Sequence, residues 1–226
     1  MGKELKSMPT IRGDSARRNF VKLHEIFCTS HTVLMFGQQK RCVCGSPITE
    51  DYYTFAYRKI NSQEDFHIMH AGPQCGKQII KEAGIISSPL TNPFNGDVLI
   101  EHVERKIKNN TNEVHTINIT HLNREMLQAV SLLFGIWGGP REGFIQRGLI
   151  EIMTNPTIDI PPQFIRALNK AAHTTLCNDA KFDEHLSLRE NFKQLATKHG
   201  RSVRNLQFDK LQEALEARYA GETFYL

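Results

Sequence analysis

The segment RCVCGSPI, residues 41–48, sets two cysteines one residue apart with a glycine directly behind the second. A disulfide between such close neighbours is geometrically awkward, whereas two adjacent ligands on a tight knuckle are natural. Gly45 lets the backbone turn there and aim amides at the thiolate sulfurs. The residues C-terminal to this knuckle decide the fold. DYYTFAYRKI (51–60), the polar turn NSQED (61–65) and FHIMH (66–70) predict a β-hairpin, because Tyr, Phe and Ile flank a turn. In GPQCGKQIIKEAG (72–84), Gly and Pro break the strand and Cys75 falls at the start of a short helix. Ile79, Ile80 and Ala83 form its buried face and Gly84 its stop.

Zinc accepts cysteine and histidine in a tetrahedral shell, so Cys42, Cys44, His70 and Cys75 form the expected set around a structural Zn2+. Thiolate at Cys75 is favoured both by a metal and by the positive end of the helix dipole. The fourth ligand stays open between His70 and the alternatives Cys28, His31 and His67. Buried reduced thiols acting as small apolar side chains, or a redox pair, are the competing readings. The order knuckle, hairpin, turn and ligand-bearing helix resembles a treble-clef zinc finger over residues 40–84. CVCG followed by AGPQCGK is similar to fingers of small phage and mobile-element proteins. That resemblance implies a small metal-dependent unit and leaves the remainder of the chain unassigned.

Upstream, Asp14 or Ser15 is placed to cap a helix whose apolar face runs through Phe20, Leu23, Phe27, Val33 and Leu34. Lys3, Lys6, Arg12, Arg17 and Arg18 before and within it read as a solvated basic arm. Residues 87–97 are dense in Ser, Pro, Asn and Gly and read as a linker. Beyond it, VLIEHVERKIK (98–108) predicts a short amphipathic helix and VHTINIT (114–120) a short strand. Asn123 is placed to cap the helix REMLQAVSLLFGIW. Helices are also expected over 143–153, after Pro161-Pro162, over 186–199 closed by Gly200, and over 204–219. The expected fold class is α+β: residues 1–86 carry an N-terminal helix and the finger, and residues 98–226 form a helical domain.

The 226 residues are 40% hydrophobic and 23% charged, with a net charge of +4. This mild basic excess is compatible with nucleic acid without demanding it. Arg17, Arg18, Arg58, Lys59, Lys198, Arg201 and Arg204 are the candidate phosphate contacts, in three dispersed clusters. Five cysteines, with no leading apolar run and no stretch of bilayer-spanning length, predict reduced thiols in the cytoplasm. Trp137 beside Arg141 can stack a base or close the core at a helix end, and the glycines between them make no phosphate loop. His102 with Glu104 reads as a charged face, and His173 with Cys177 as core positions rather than a second metal site.

No recognisable catalytic set is present. The expected function is therefore a zinc-stabilised protein contacting nucleic acid or a protein partner, such as an accessory or regulatory factor of a mobile element. The alternatives are a nuclease or toxin-like effector, with His67 or His70 beside Glu64 or Asp65, and a purely protein-binding adaptor.

Overall fold

A computed structural model describes residues 10–34, 38–49, 51–63, 66–85, 102–106, 114–137, 143–198, 200, 203 and 205–226. The chain starts with α1 (Asp14–Leu23) and passes directly into β1 (His24–Val33). Phe27 and Val33 therefore lie on a strand, not on the extended helix that their spacing suggests. The cause is long-range pairing: β1 runs antiparallel to β4 (Asp51–Lys59) from His24↔Lys59 to Val33↔Asp51. That ladder suits the β-branched and aromatic residues of HEIFCTSHTV better than a helix would. α1 also begins without a side-chain cap, after Gly13, and Asp14 instead pairs with Arg17 within the first turn.

The hairpin forms where expected. β4 pairs antiparallel with β5 (His67–Ala71), giving a three-stranded sheet of order β1-β4-β5. A bulge between Cys28 and Ser30 interrupts the first ladder, and buried Thr29 donates its hydroxyl to the Thr54 carbonyl at 3.2 Å. Five consecutive residues of β4, Tyr52 to Ala56, are buried, so the central strand is covered on both faces. Between β1 and β4 lies the two-residue pair β2 (Lys40–Arg41) and β3 (Pro47–Ile48), which carries the cysteine knuckle at its turn.

α2 (Pro73–Ala83) follows β5, and Gly84 closes it with its N–H on the Ile80 and Lys81 carbonyls. It lies on the sheet at Gly76, where a β-carbon would fall 2.6 Å from Cγ of Tyr53. α1 packs beside it on the same face, with Phe20 edge-on to Tyr57 at 5.1 Å.

The linker expected over 87–97 lies outside the described residues. Within the stretch expected as a helix over 98–108, the described part is a strand, β6 (His102–Lys106). It pairs antiparallel with β7 (Val114–Asn118), which sets Val103 opposite Ile117. Pairing with the strand-forming VHTIN, a contact that the helical periodicity does not encode, wins over local preference.

The rest is helical. α3 (His121–Trp137) is the central helix, with α4 (Phe144–Thr154), α5 (Pro162–Asn178), α6 (Leu188–Lys198) and α7 (Asp209–Arg218) against it. Met126, Val130, Leu133 and Phe134 point inward, as their spacing predicts. Asn123 caps nothing: the Thr120 hydroxyl accepts the Asn123 N–H, while the buried Asn123 amide pins the loop before α5. It donates to the Pro156 and Ile158 carbonyls and accepts the Ile160 N–H. Among the described residues two hydrophobic clusters result, one centred on the sheet with α1 and α2, the other on α3. The architecture is mixed α+β, and among the described residues no helix is long and apolar enough to cross a membrane.

Candidate metal centre

The knuckle is a tight turn held on three sides. The Cys42 N–H donates to the Ser46 carbonyl at 2.8 Å and the Gly45 N–H to the Cys42 carbonyl at 2.7 Å. Gly45 has φ +91°, a conformation that a side chain there would strain. The Val43 N–H reaches the His70 carbonyl at 2.8 Å, tying the knuckle to β5, and the Val43 carbonyl accepts the Ile11 N–H at 2.7 Å. The first turn of α2 brings Cys75 to the same place. The sulfurs of Cys42, Cys44 and Cys75 all lie within 4.8 Å of one another.

That spacing fits a metal, because Zn–S bonds of about 2.3 Å in a tetrahedral shell put sulfurs about 3.8 Å apart. The surroundings treat the three thiols differently. The Gly72 N–H, just ahead of α2, donates to Cys42 Sγ at 3.3 Å. A hydrogen bond from Ser46 lowers the Cys44 pKa to about 6. Burial, followed by the neighbouring Cys42 charge, pushes the Cys75 thiol up to about 12. Without a cation the three thiols resist ionising together, and a divalent metal removes that conflict.

Two arginines of the N-terminal segment close over the cluster. Arg12 donates from Nε to the Cys44 carbonyl at 2.7 Å. Arg17 is only 8% exposed, with Nη1 3.9 Å from Cys75 Sγ and Nη2 on Asp14 Oδ1 at 2.5 Å. Their place beside thiolates carries no sequence signal: arginines in a basic run read as solvent-facing until the packing of α1 on α2 is known. Ser46 is likewise unexpected, though a hydroxyl two residues after a cysteine is within local reach of its sulfur.

His70 is not brought into the thiol group. Strand parity explains this. Tyr53, which packs under α2, stands opposite Ala71, whereas His70 stands opposite Thr54 and points to the other face. Its Nδ1 lies 3.3 Å from the Thr54 hydroxyl and its ring is edge-on to Tyr52. The other candidates have different surroundings. Cys28 is buried in the sheet with its thiol on the Ser30 carbonyl. His31 stacks on Tyr53 at 4.1 Å and meets Asp51 at 2.6 Å, and His67 packs against Tyr57. Glu64 and Asp65, the carboxylates considered for a nuclease, lie outside the described residues.

The basic candidates are dispersed. Besides Arg17, Arg18 faces Glu82 at 3.3 Å, and Arg58 pairs with Glu25 at 2.8 Å while lying over the Phe66 ring. Lys59 and Lys198 are exposed, while Arg201 and Arg204 lie outside the described residues. Trp137 closes the core at the end of α3, donating its indole N–H to the Thr175 hydroxyl at 3.0 Å. His173 stacks on Tyr225 and Cys177 is exposed. Among the described residues the three-thiol cluster is the one group suited to a metal. No family model, curated protein or solved structure matches this chain.

Proposed function

We propose that this protein is a zinc-stabilised binding module, with Cys42, Cys44 and Cys75 holding the metal in a treble-clef-like finger. The convergence of three sulfurs from a glycine-bearing knuckle and a helix start carries the reading. Zinc suits an all-thiolate set, and the small sheet-and-helix unit gains stability from a metal that joins its two ends.

The partner proposed is a protein. Arg17, Arg18 and Arg58 spend their charge in intramolecular pairs. Leu23 and Ile60, by contrast, are 64% and 51% exposed at one end of the sheet, and the Ile60 N–H donates to the Leu23 carbonyl at 3.1 Å. Adjacent exposed apolar side chains are a feature of partner-binding surfaces.

Elemental analysis tests the metal: one zinc per chain is expected, lost in a Cys42→Ser/Cys44→Ser double variant. A well-folded, zinc-free wild type would sink the reading. Binding to mixed DNA and RNA oligonucleotides across a salt series tests the partner class. Weak binding at all salt concentrations fits a protein partner, whereas tight, steeply salt-dependent binding restores nucleic acid.

A further inference from the structure

The three-thiol cluster leaves one corner of a tetrahedron without a ligand from the described residues, and the group bordering that cluster is a guanidinium. Arg17 is nine-tenths buried, it approaches Cys75 Sγ through Nη1, and its Nε has no hydrogen-bond partner. A buried N–H left unpaired is costly, and an acceptor placed there removes the cost. Cys44 and Cys75 are partly exposed, so the cluster is reachable from solvent on their side. Asp14, held on Nη2, shows that this guanidinium already takes a carboxylate on one arm.

Resting on the proposed zinc site, we infer that the metal held by Cys42, Cys44 and Cys75 keeps its fourth position open to a small exogenous anion, which the Arg17 guanidinium, 3.9 Å from Cys75 Sγ through Nη1, steadies. The centre then holds the finger together and also binds a ligand, of the carboxylate, azide or thiolate class. Arg17 supplies the charge-assisted hydrogen bond that selects an anion over water.

Cobalt(II) replaces zinc in thiolate sites and reports its coordination through visible d–d bands. The cobalt-loaded full chain is titrated with azide. A saturable shift of the d–d bands is expected, with the thiolate-to-cobalt charge-transfer band retained. Arg17→Gln is expected to keep that charge-transfer band and bind azide about tenfold more weakly, as loss of one charge-assisted hydrogen bond predicts. Arg17→Lys, which keeps charge and bulk, should recover part of the affinity even if the Gln variant folds poorly. Cobalt bound with d–d bands that ignore azide means that a protein donor fills the fourth position, which overturns the proposal and leaves the metal site standing. Equal azide affinity in wild type and both variants overturns the role of Arg17. Failure to bind cobalt or zinc at all removes the metal site itself, and this inference with it.

Discussion

Burial holds the His70 imidazole neutral, pulling its pKa down to about 4, and Lys40 adds repulsion. The unfolded chain, with an ordinary histidine pKa of about 6.5, therefore binds a proton that the folded chain refuses between those values. Stability is lost as pH falls through that window, by about 2 kcal/mol between pH 7 and pH 4.5. Acid also releases metal from thiolates, so the informative quantity is the difference between proteins. His70→Asn is expected to remove about 2 kcal/mol of the acid sensitivity seen in chemical denaturation at the two pH values. A variant as acid-sensitive as the wild type would show that another group is responsible. Asn123 makes a second case. Its buried amide serves two carbonyls and one N–H of the loop before α5, so Asn123→Ala leaves the Ile158 carbonyl and the Ile160 N–H unpaired, while the Pro156 carbonyl keeps the Thr120 N–H. A loss of about 3 kcal/mol is expected in the same denaturation experiment, and a loss under about 1 kcal/mol would mean that water replaces the amide. Neither environment is visible in the sequence. A histidine beside a Gly-Pro turn reads as a ligand, and an asparagine before an apolar run reads as a cap; burial and strand parity decide otherwise.

At the scale of elements, the seating of α2 on β4 sets where Cys75 stands. Gly76 permits it, because its backbone lies against the Tyr53 ring and any side chain must displace one or the other. Gly76→Ala is expected to cost at least about 2 kcal/mol and to weaken metal binding, since the helix start is pushed away from the knuckle. Thermal denaturation with a competitive zinc chelator measures both, and unchanged zinc affinity would mean that the helix adjusts without moving Cys75. The hairpin β4–β5, α2 and the long α3 are legible in the sequence because their local patterns agree with their tertiary roles. The passage from α1 into β1 is not. Phe20, Leu23 and Phe27 continue an imperfect helical stripe, and only the β1–β4 ladder, closed at the distant pair His24↔Lys59, selects the strand. β6 is hidden for the same reason, its pairing with β7 being absent from the periodicity of VLIEHVERKIK. In the metal centre, spacing from glycines and a helix start singles out the three cysteines. Nothing comparable marks Arg12 and Arg17, because local pattern does not reveal that α1 folds back on α2.

Among the described residues there are two hydrophobic clusters, and the thiol site touches one of them. Cys42 belongs to the cluster of the sheet, with Tyr52, Phe55, Met69 and Ile79, and Cys44 and Cys75 pack against it. The other cluster, around Phe134, Leu168, Phe192 and Leu211, is fastened by its own buried polar groups. The Glu125 carboxylate of α3 accepts the Leu211 N–H in the first turn of α7, and the Asn169 amide holds the C-terminal segment at Thr223 and Tyr225. Neither fastening involves the sheet. Contact between the halves runs through β1 against α3 and α4, with a long 3.5 Å hydrogen bond from Gln38 to the Ile136 carbonyl. A structural zinc couples on the order of 10 kcal/mol of binding free energy to folding, a quantity comparable to the whole stability of a small unit. Chelation is therefore expected to unfold the sheet and α1–α2 while α3–α7 persist. In calorimetry of the full chain this separates one endotherm that moves with chelator from a second that does not, and the far-ultraviolet helical signal falls only in part. Hydrogen exchange then locates the loss, with protection disappearing from 40–84 and surviving in 121–137. A single endotherm that shifts as a whole with chelator would mean that the β1 contacts with α3 and α4 are strong enough to make the two clusters one cooperative unit.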